Sequence, residues 1–189
     1  MNSTILMISE INIFYVYLHF HINVFVKPGA EGKFASTMLR RENEFIQTYL
    51  NHYSMAYKIE QIEGVGGSYG EKLRAAGINT TEALLNKGAK KSGRAKLAEE
   101  TGISEKLILR WCNHADLFRI KGIAGQYAEL LEASGVDTVK ELRHRIAANL
   151  YPKMVEVNNA KNLCNRVPTV AELDRMIEHA KALDPVMEY

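Results

Sequence analysis

A segment of this chain occurs twice. Ile62, Gly64, Gly67, Tyr69, Glu71, Leu73, Ala75, Gly77, Thr80 and Leu84 recur, at a constant offset of 58, as Ile120, Gly122, Gly125, Tyr127, Glu129, Leu131, Ala133, Gly135, Thr138 and Leu142. The likeness resumes at an offset of 65, where Trp111, His114 and Ala115 face Met176, His179 and Ala180. A duplication of this kind constrains the fold strongly, because one packing solution must serve both segments.

Each segment carries its own punctuation. Gly64-Val65-Gly66-Gly67 offers backbone free to take positive φ, with an apolar residue between the glycines that can plug into a core. From Ser68 to Ala76, Tyr69, Leu73 and Ala76 stand at helical spacing, and Gly77 sits where a left-handed C-terminal cap belongs, with Ile78 as its apolar contact. Thr80 and Thr138 are natural N-caps. Thr138-Val-Lys-Glu141 and Thr169-Val-Ala-Glu172 have capping-box spacing, in which the two ends satisfy each other's free N–H. Ser104 opens a helix whose Leu107, Ile108, Trp111 and Ala115 form one apolar stripe. The count comes to about four helices per unit, an all-α chain with unit one at residues 55–117 and unit two at 118–187.

The alternation of an apolar residue, Gly, an apolar residue and Gly or Ala, followed by a helix ending in Leu-x-x-x-Gly, resembles the helix-hairpin-helix motif. It stands here as Ile62-x-Gly64-Val65-Gly66 to Leu73-x-x-x-Gly77-Ile78, and again from Ile120 to Val136. The longer string from Leu97-Ala-Glu-Glu-Thr-Gly-Ile-Ser104 through Trp111-x-x-His114-Ala115-Asp116-Leu117 to Ile123 resembles an uncharacterised bacterial family of tandem helix-hairpin-helix proteins, over about residues 57–184. That resemblance implies a SAM/HhH-like helical bundle and no settled activity. In DNA-binding relatives of the motif, hairpin amides at a helix N-terminus hold a phosphate. Carried over, the role falls on Gly64, Val65, Gly66 and Gly67, and in unit two on Gly122 and Gly125. Ala124 there departs from the pattern and puts close backbone approach in doubt.

Charge locates the expected partner only locally. The whole chain carries +2, which singles out neither nucleic acid nor membrane. Lys87, Lys90, Lys91, Arg94 and Lys96 lie together with no acidic residue among them. Residues 56–115 hold ten basic and seven acidic side chains, and residues 116–189 hold ten and eleven. Unit one should therefore dominate any phosphate contact, with Lys72, Arg74, Lys90, Lys91 and Arg94 assisting the hairpin amides. The expected function is non-enzymatic, sequence-independent binding of nucleic acid, DNA before RNA. The alternative is a protein–protein scaffold in which the hairpins only close helix packing.

Other chemistries find no footing in the residues. There is no GxSxG elbow, HExxH, Walker loop or strand-borne GxGxxG, and so no catalytic set and no cofactor are expected. Cys112 and Cys164 are too few for a disulfide framework, and Cys112 with His114 supplies at best two zinc ligands. A reducing, cytoplasmic setting fits. Tyr69, Tyr127 and Trp111 recur at equivalent positions or on an apolar stripe, which favours packing over base stacking. His114 and His179 likewise read as helix-end packing, because acid–base work would require a partner carboxylate and a pocket.

Residues 1–54 do not match the rest. Ile5 to Val26 is dense in apolar side chains but interrupted by Glu10, Asn12, His19, His21 and Asn23. Each polar group at a bilayer centre costs roughly 2.5 to 3.5 kcal/mol, which weakens a membrane-spanning reading. Three readings stay open: a natural start at Met55, a membrane or interfacial anchor, or a disordered or swapped extension.

Overall fold

The helices begin and end where local hydrogen-bond chemistry directs. In the computed structural model, which describes residues 57–189, a short 3-10 turn at Ile59–Gln61 precedes eight α-helices. These are α1 Gly67–Ala75, α2 Thr81–Gly88, α3 Lys91–Thr101, α4 Glu105–Leu117, α5 Gly125–Ala133, α6 Val139–Leu142, α7 Ala147–Lys161 and α8 Val170–Ala182. The reading of residues 1–54 lies outside the described residues. Among the described residues no helix is long and apolar enough to cross a membrane.

The expected caps are present. Thr80, Ser104, Thr138 and Thr169 each accept a hydrogen bond from the amide three residues on, closing the N-termini of α2, α4, α6 and α8. Gly77 and Gly135 take positive φ, 76° and 83°. Behind each stands the same bond pair: Ile78 N to Leu73 O with Gly77 N to Arg74 O, and Val136 N to Leu131 O with Gly135 N to Glu132 O, every one 2.9 Å. Such a double closure satisfies carbonyls that a helix end otherwise leaves open. Thr80→Ala is expected to lower stability by about 1 kcal/mol. The check is a urea melt, in which the midpoint should fall with the slope unchanged.

Of the two expected capping boxes, one differs. Thr169 and Glu172 form the reciprocal pair, and the bonds from Arg166 and Thr169 hold the Glu172 carboxyl down at about 2. Glu141, however, reaches one residue further back: its Oε2 accepts from Asp137 N at 2.8 Å, while Thr138 Oγ1 still accepts from Glu141 N. The carboxylate thus ties down the loop entering α6 instead of the cap residue.

All eight helices contribute buried side chains to one hydrophobic core. Within the first stretch α2 packs on α3 and α4, and α3 on α4; within the second α8 packs on α6 and α7, and α7 on α5. The stretches meet where α4 packs on α5. Ile62, Val65, Ile120 and Ile123, the apolar residues of the two glycine loops, are all buried.

Corresponding positions solve one problem with different atoms. Thr81 N donates to the Tyr57 carbonyl at 2.9 Å, beside an isolated antiparallel bridge between Lys58 and Thr80. In the second stretch α4 is still helical at that point, and the buried Asp116 side chain takes over, its Oδ2 accepting from Val139 N at 2.9 Å. Arg119 supplies the countercharge to Asp116 Oδ1 at 2.7 Å. Burial pushes the Asp116 carboxyl above its ordinary value, against the pull of Arg119 and the Val139 amide.

Candidate nucleic-acid interface

The first glycine loop, Ile62–Gly66, is closed from below and open above. Val65 N bonds Ile62 O at 3.1 Å, which turns the chain and sends the Val65 side chain into the core. Gly64 takes φ 84°, and a side chain built there would lie 3.6 Å from the indole Nε1 of buried Trp111. Trp111 is packed edge-on against Tyr69, with ring centroids 5.2 Å apart. Gly66, in extended conformation, is the N-cap of α1 and no side chain caps the helix. The first turn holds no acidic residue. Around both Gly66 and Gly67 there is open space to 4 Å, and Ser68 beside them is exposed.

The second loop, Ile120–Ala124, repeats the turn but not the opening. Ile123 N bonds Ile120 O at 3.0 Å, Gly122 takes φ 92°, and a side chain there would meet Met176 Cε at 3.3 Å. Met176 occupies the place that Trp111 has beneath the first loop, as the offset of 65 implies. The difference lies at the helix N-terminus. A side chain built on Gly125, φ 28°, would lie 3.5 Å from the Gln61 carbonyl and 4.0 Å from Glu63 Oε1. The start of α5 therefore faces the chain's own oxygens, which leaves Gly122 and Gly125 poorly placed for an incoming anion. His179 Nδ1 also accepts from Lys121 N at 2.9 Å, fixing this loop to α8.

The cations named from the sequence separate into three kinds. Lys72 on α1 and Lys91 at the start of α3 are exposed. Arg74 is ion-paired to Glu60, and Lys90 Nζ lies 3.6 Å from the Glu188 carboxylate. Arg94 is a correction, since its side chain is turned inward and only 2% of the residue is exposed. Its Nη1 donates to the carbonyls of Gly88 and Ala89 at 3.0 Å, and Nη2 to that of Glu188 at 2.9 Å. The Gly88 and Ala89 carbonyls end α2, and with Glu188 O they hold three bonds from the guanidinium within the protein. Lys87 acts similarly at the surface, Nζ donating to Ala76 O at 2.8 Å past the end of α1.

A charged cluster between α4 and α5 was not anticipated. Glu132 accepts from His114 Nε2 at 2.9 Å and from Arg110 Nε at 2.8 Å, and Arg110 Nη2 reaches Glu129 at 3.4 Å. Burial alone would push the Glu132 carboxyl up; the bonds from His114 and Arg110 outweigh it and hold the group below its ordinary value. The signal was present in the repeat: where the first segment has Arg74, the second has Glu132. His114 has its carboxylate but is wholly buried, with Nδ1 unpartnered, and serves to join α4 to α5. Burial likewise pushes the Cys112 thiol up to about 12, an unreactive state at neutral pH.

The described residues thus define an all-helical domain in which α1 starts at a glycine loop, with no side-chain cap and open space at Gly66 and Gly67. The chain belongs to the family described as domain of unknown function DUF4332, whose model matches residues 63–183. No curated protein and no solved structure matches it.

Proposed function

We propose that the chain is a tandem helix-hairpin-helix protein that binds the phosphate backbone of nucleic acid, DNA in the first instance, without reading base sequence. One observation carries this: α1 presents its N-terminal turn uncapped, free of acidic residues and open around Gly66 and Gly67. The first amides of a helix lack intrahelical partners, and the summed peptide dipoles place roughly half a positive charge there, so a phosphate oxygen is the complementary ligand. Lys72 stands one turn further along α1, and Lys91 opens α3, which packs against α1. Nine residues make α1 about 13 Å long, enough for successive phosphates of one strand to pass along it. The reading includes no catalytic step and no cofactor, and a cytoplasmic setting.

A scaffold role is the second reading, and inward-facing Arg94 with the core-plugging Val65 and Ile123 favours it. Anisotropy with a short fluorescent duplex and the full chain separates the two. Expected is binding whose affinity falls steeply with salt, by about 0.9 in log–log slope for each phosphate contacted. Lys72→Glu/Lys91→Glu should weaken it at least tenfold. Absence of binding even at low salt would leave the scaffold.

A further inference from the structure

The residues after α8 do not trail away from the fold. From Asp184 to Tyr189 the chain crosses the junction of α2 and α3, which is the basic run of the first stretch. Arg119 Nη2 donates to Asp184 O at 3.0 Å, Met187 is buried, and Glu188 N donates to Ala89 O at 2.9 Å. Arg94 Nη2 donates back to Glu188 O, the Glu188 carboxylate lies 3.6 Å from Lys90 Nζ, and Tyr189 Oη donates to Asn113 Oδ1 at 3.2 Å beneath the Arg94 guanidinium. Two of the cations in that run, Lys90 and Arg94, thus have oxygens of this segment as partners.

We propose that residues 184–189 are an autoinhibitory strap, whose Glu188 holds the α2–α3 junction against the nucleic-acid phosphate that would otherwise occupy it. The inference rests on the phosphate-binding reading above and adds its regulation. Charge and position support it, since a carboxylate and a carbonyl are the nearest intramolecular stand-ins for phosphate oxygens. Ease of release supports it as well. The Lys90–Glu188 pair is exposed, 70% and 64% for the two side chains, and such pairs contribute little. Tyr189 is 67% exposed, so Met187 is the one buried anchor in Met187–Tyr189. Segments with few buried contacts open well below the global unfolding free energy. When the strap lifts, Arg94 keeps its two Nη1 bonds to Gly88 O and Ala89 O and loses only the Nη2 bond to Glu188 O.

The test compares duplex binding by the full chain, a chain ending at Leu183, and full-length Met187→Ser, which unseats the anchor without changing charge. Thermal melts of all three confirm folding. Both altered proteins should bind about tenfold more tightly than the full chain, with the salt slope steeper by about one to two phosphate contacts. The Glu188 amide should also lose hydrogen-exchange protection when duplex is added to the full chain. Tighter binding by the shortened chain alone would reduce the effect to lost negative charge and overturn the strap. Equal binding by all three would overturn it while leaving phosphate binding intact. No binding by any of them would remove the underlying reading, and the strap with it.

Discussion

Gly93→Ala should destabilise the protein by about 3 kcal/mol, lowering its melting temperature by about 10 °C. Helix propensity alone predicts the opposite sign, because alanine is favoured over glycine by about 1 kcal/mol inside a helix. Gly93 lies in the first turn of α3, and a Cβ built there collides with the carbonyl oxygen of Lys87 on α2. Backbone cannot swing aside as a side chain can, so α2 and α3 must part and the bonds from Arg94 to Gly88 and Ala89 stretch with them. Gly67→Ala is the matched control. A Cβ there meets nothing within 4 Å and its φ is not positive, so stability should hold or rise slightly. Differential scanning calorimetry of the two proteins reads both signs, and a Gly93→Ala melt at the wild-type temperature would refute the close approach of α2 and α3.

The second large effect is expected at Glu132. Glu132→Gln should cost about 2 to 3 kcal/mol at pH 7, since it strips countercharge from Arg110 and leaves a buried histidine without its carboxylate. The pH dependence has a definite direction. Because the folded carboxyl sits below its ordinary value, its contribution is fully present above about pH 4.3 and is lost as pH falls through the folded value. The stability difference between wild type and Glu132→Gln should therefore shrink as pH falls below about 4.3. Urea melts from about pH 5 down into stronger acid measure it. A difference that held steady or grew below that pH would mean the carboxyl is not stabilised in its charged form.

The local parts of this fold were legible because they are encoded within four or five residues. Thr80, Ser104, Thr138 and Thr169 announce helix starts by side-chain chemistry that reaches three residues, and Gly77 and Gly135 announce helix ends by the positive φ that glycine adopts at least cost. What escaped the sequence depends on distant partners. Arg94 stands among lysines in a run that reads as exposed cations for phosphate, and one of the carbonyls that fixes it inward belongs to Glu188, 94 residues on. The asymmetry of the two loops escaped for the same reason. Gly67 and Gly125 look alike in sequence, and the positive φ of Gly125 and the seating of Gln61 and Glu63 against it distinguish them. Glu141 choosing the Asp137 amide over that of Thr138 turns on a side-chain angle that no spacing rule specifies.

The indole beneath Gly64 gives the first loop an optical voice. Trp111 is the chain's single tryptophan, its Nε1 is buried without a partner against the loop, and Tyr69 stands edge-on to it as an energy donor at a few ångströms. Whatever raises or tightens the turn that carries Gly66 and Gly67 changes the polarity around the one long-wavelength emitter in the molecule. Any change in the loop's seating is thereby written into intrinsic fluorescence, with no label attached.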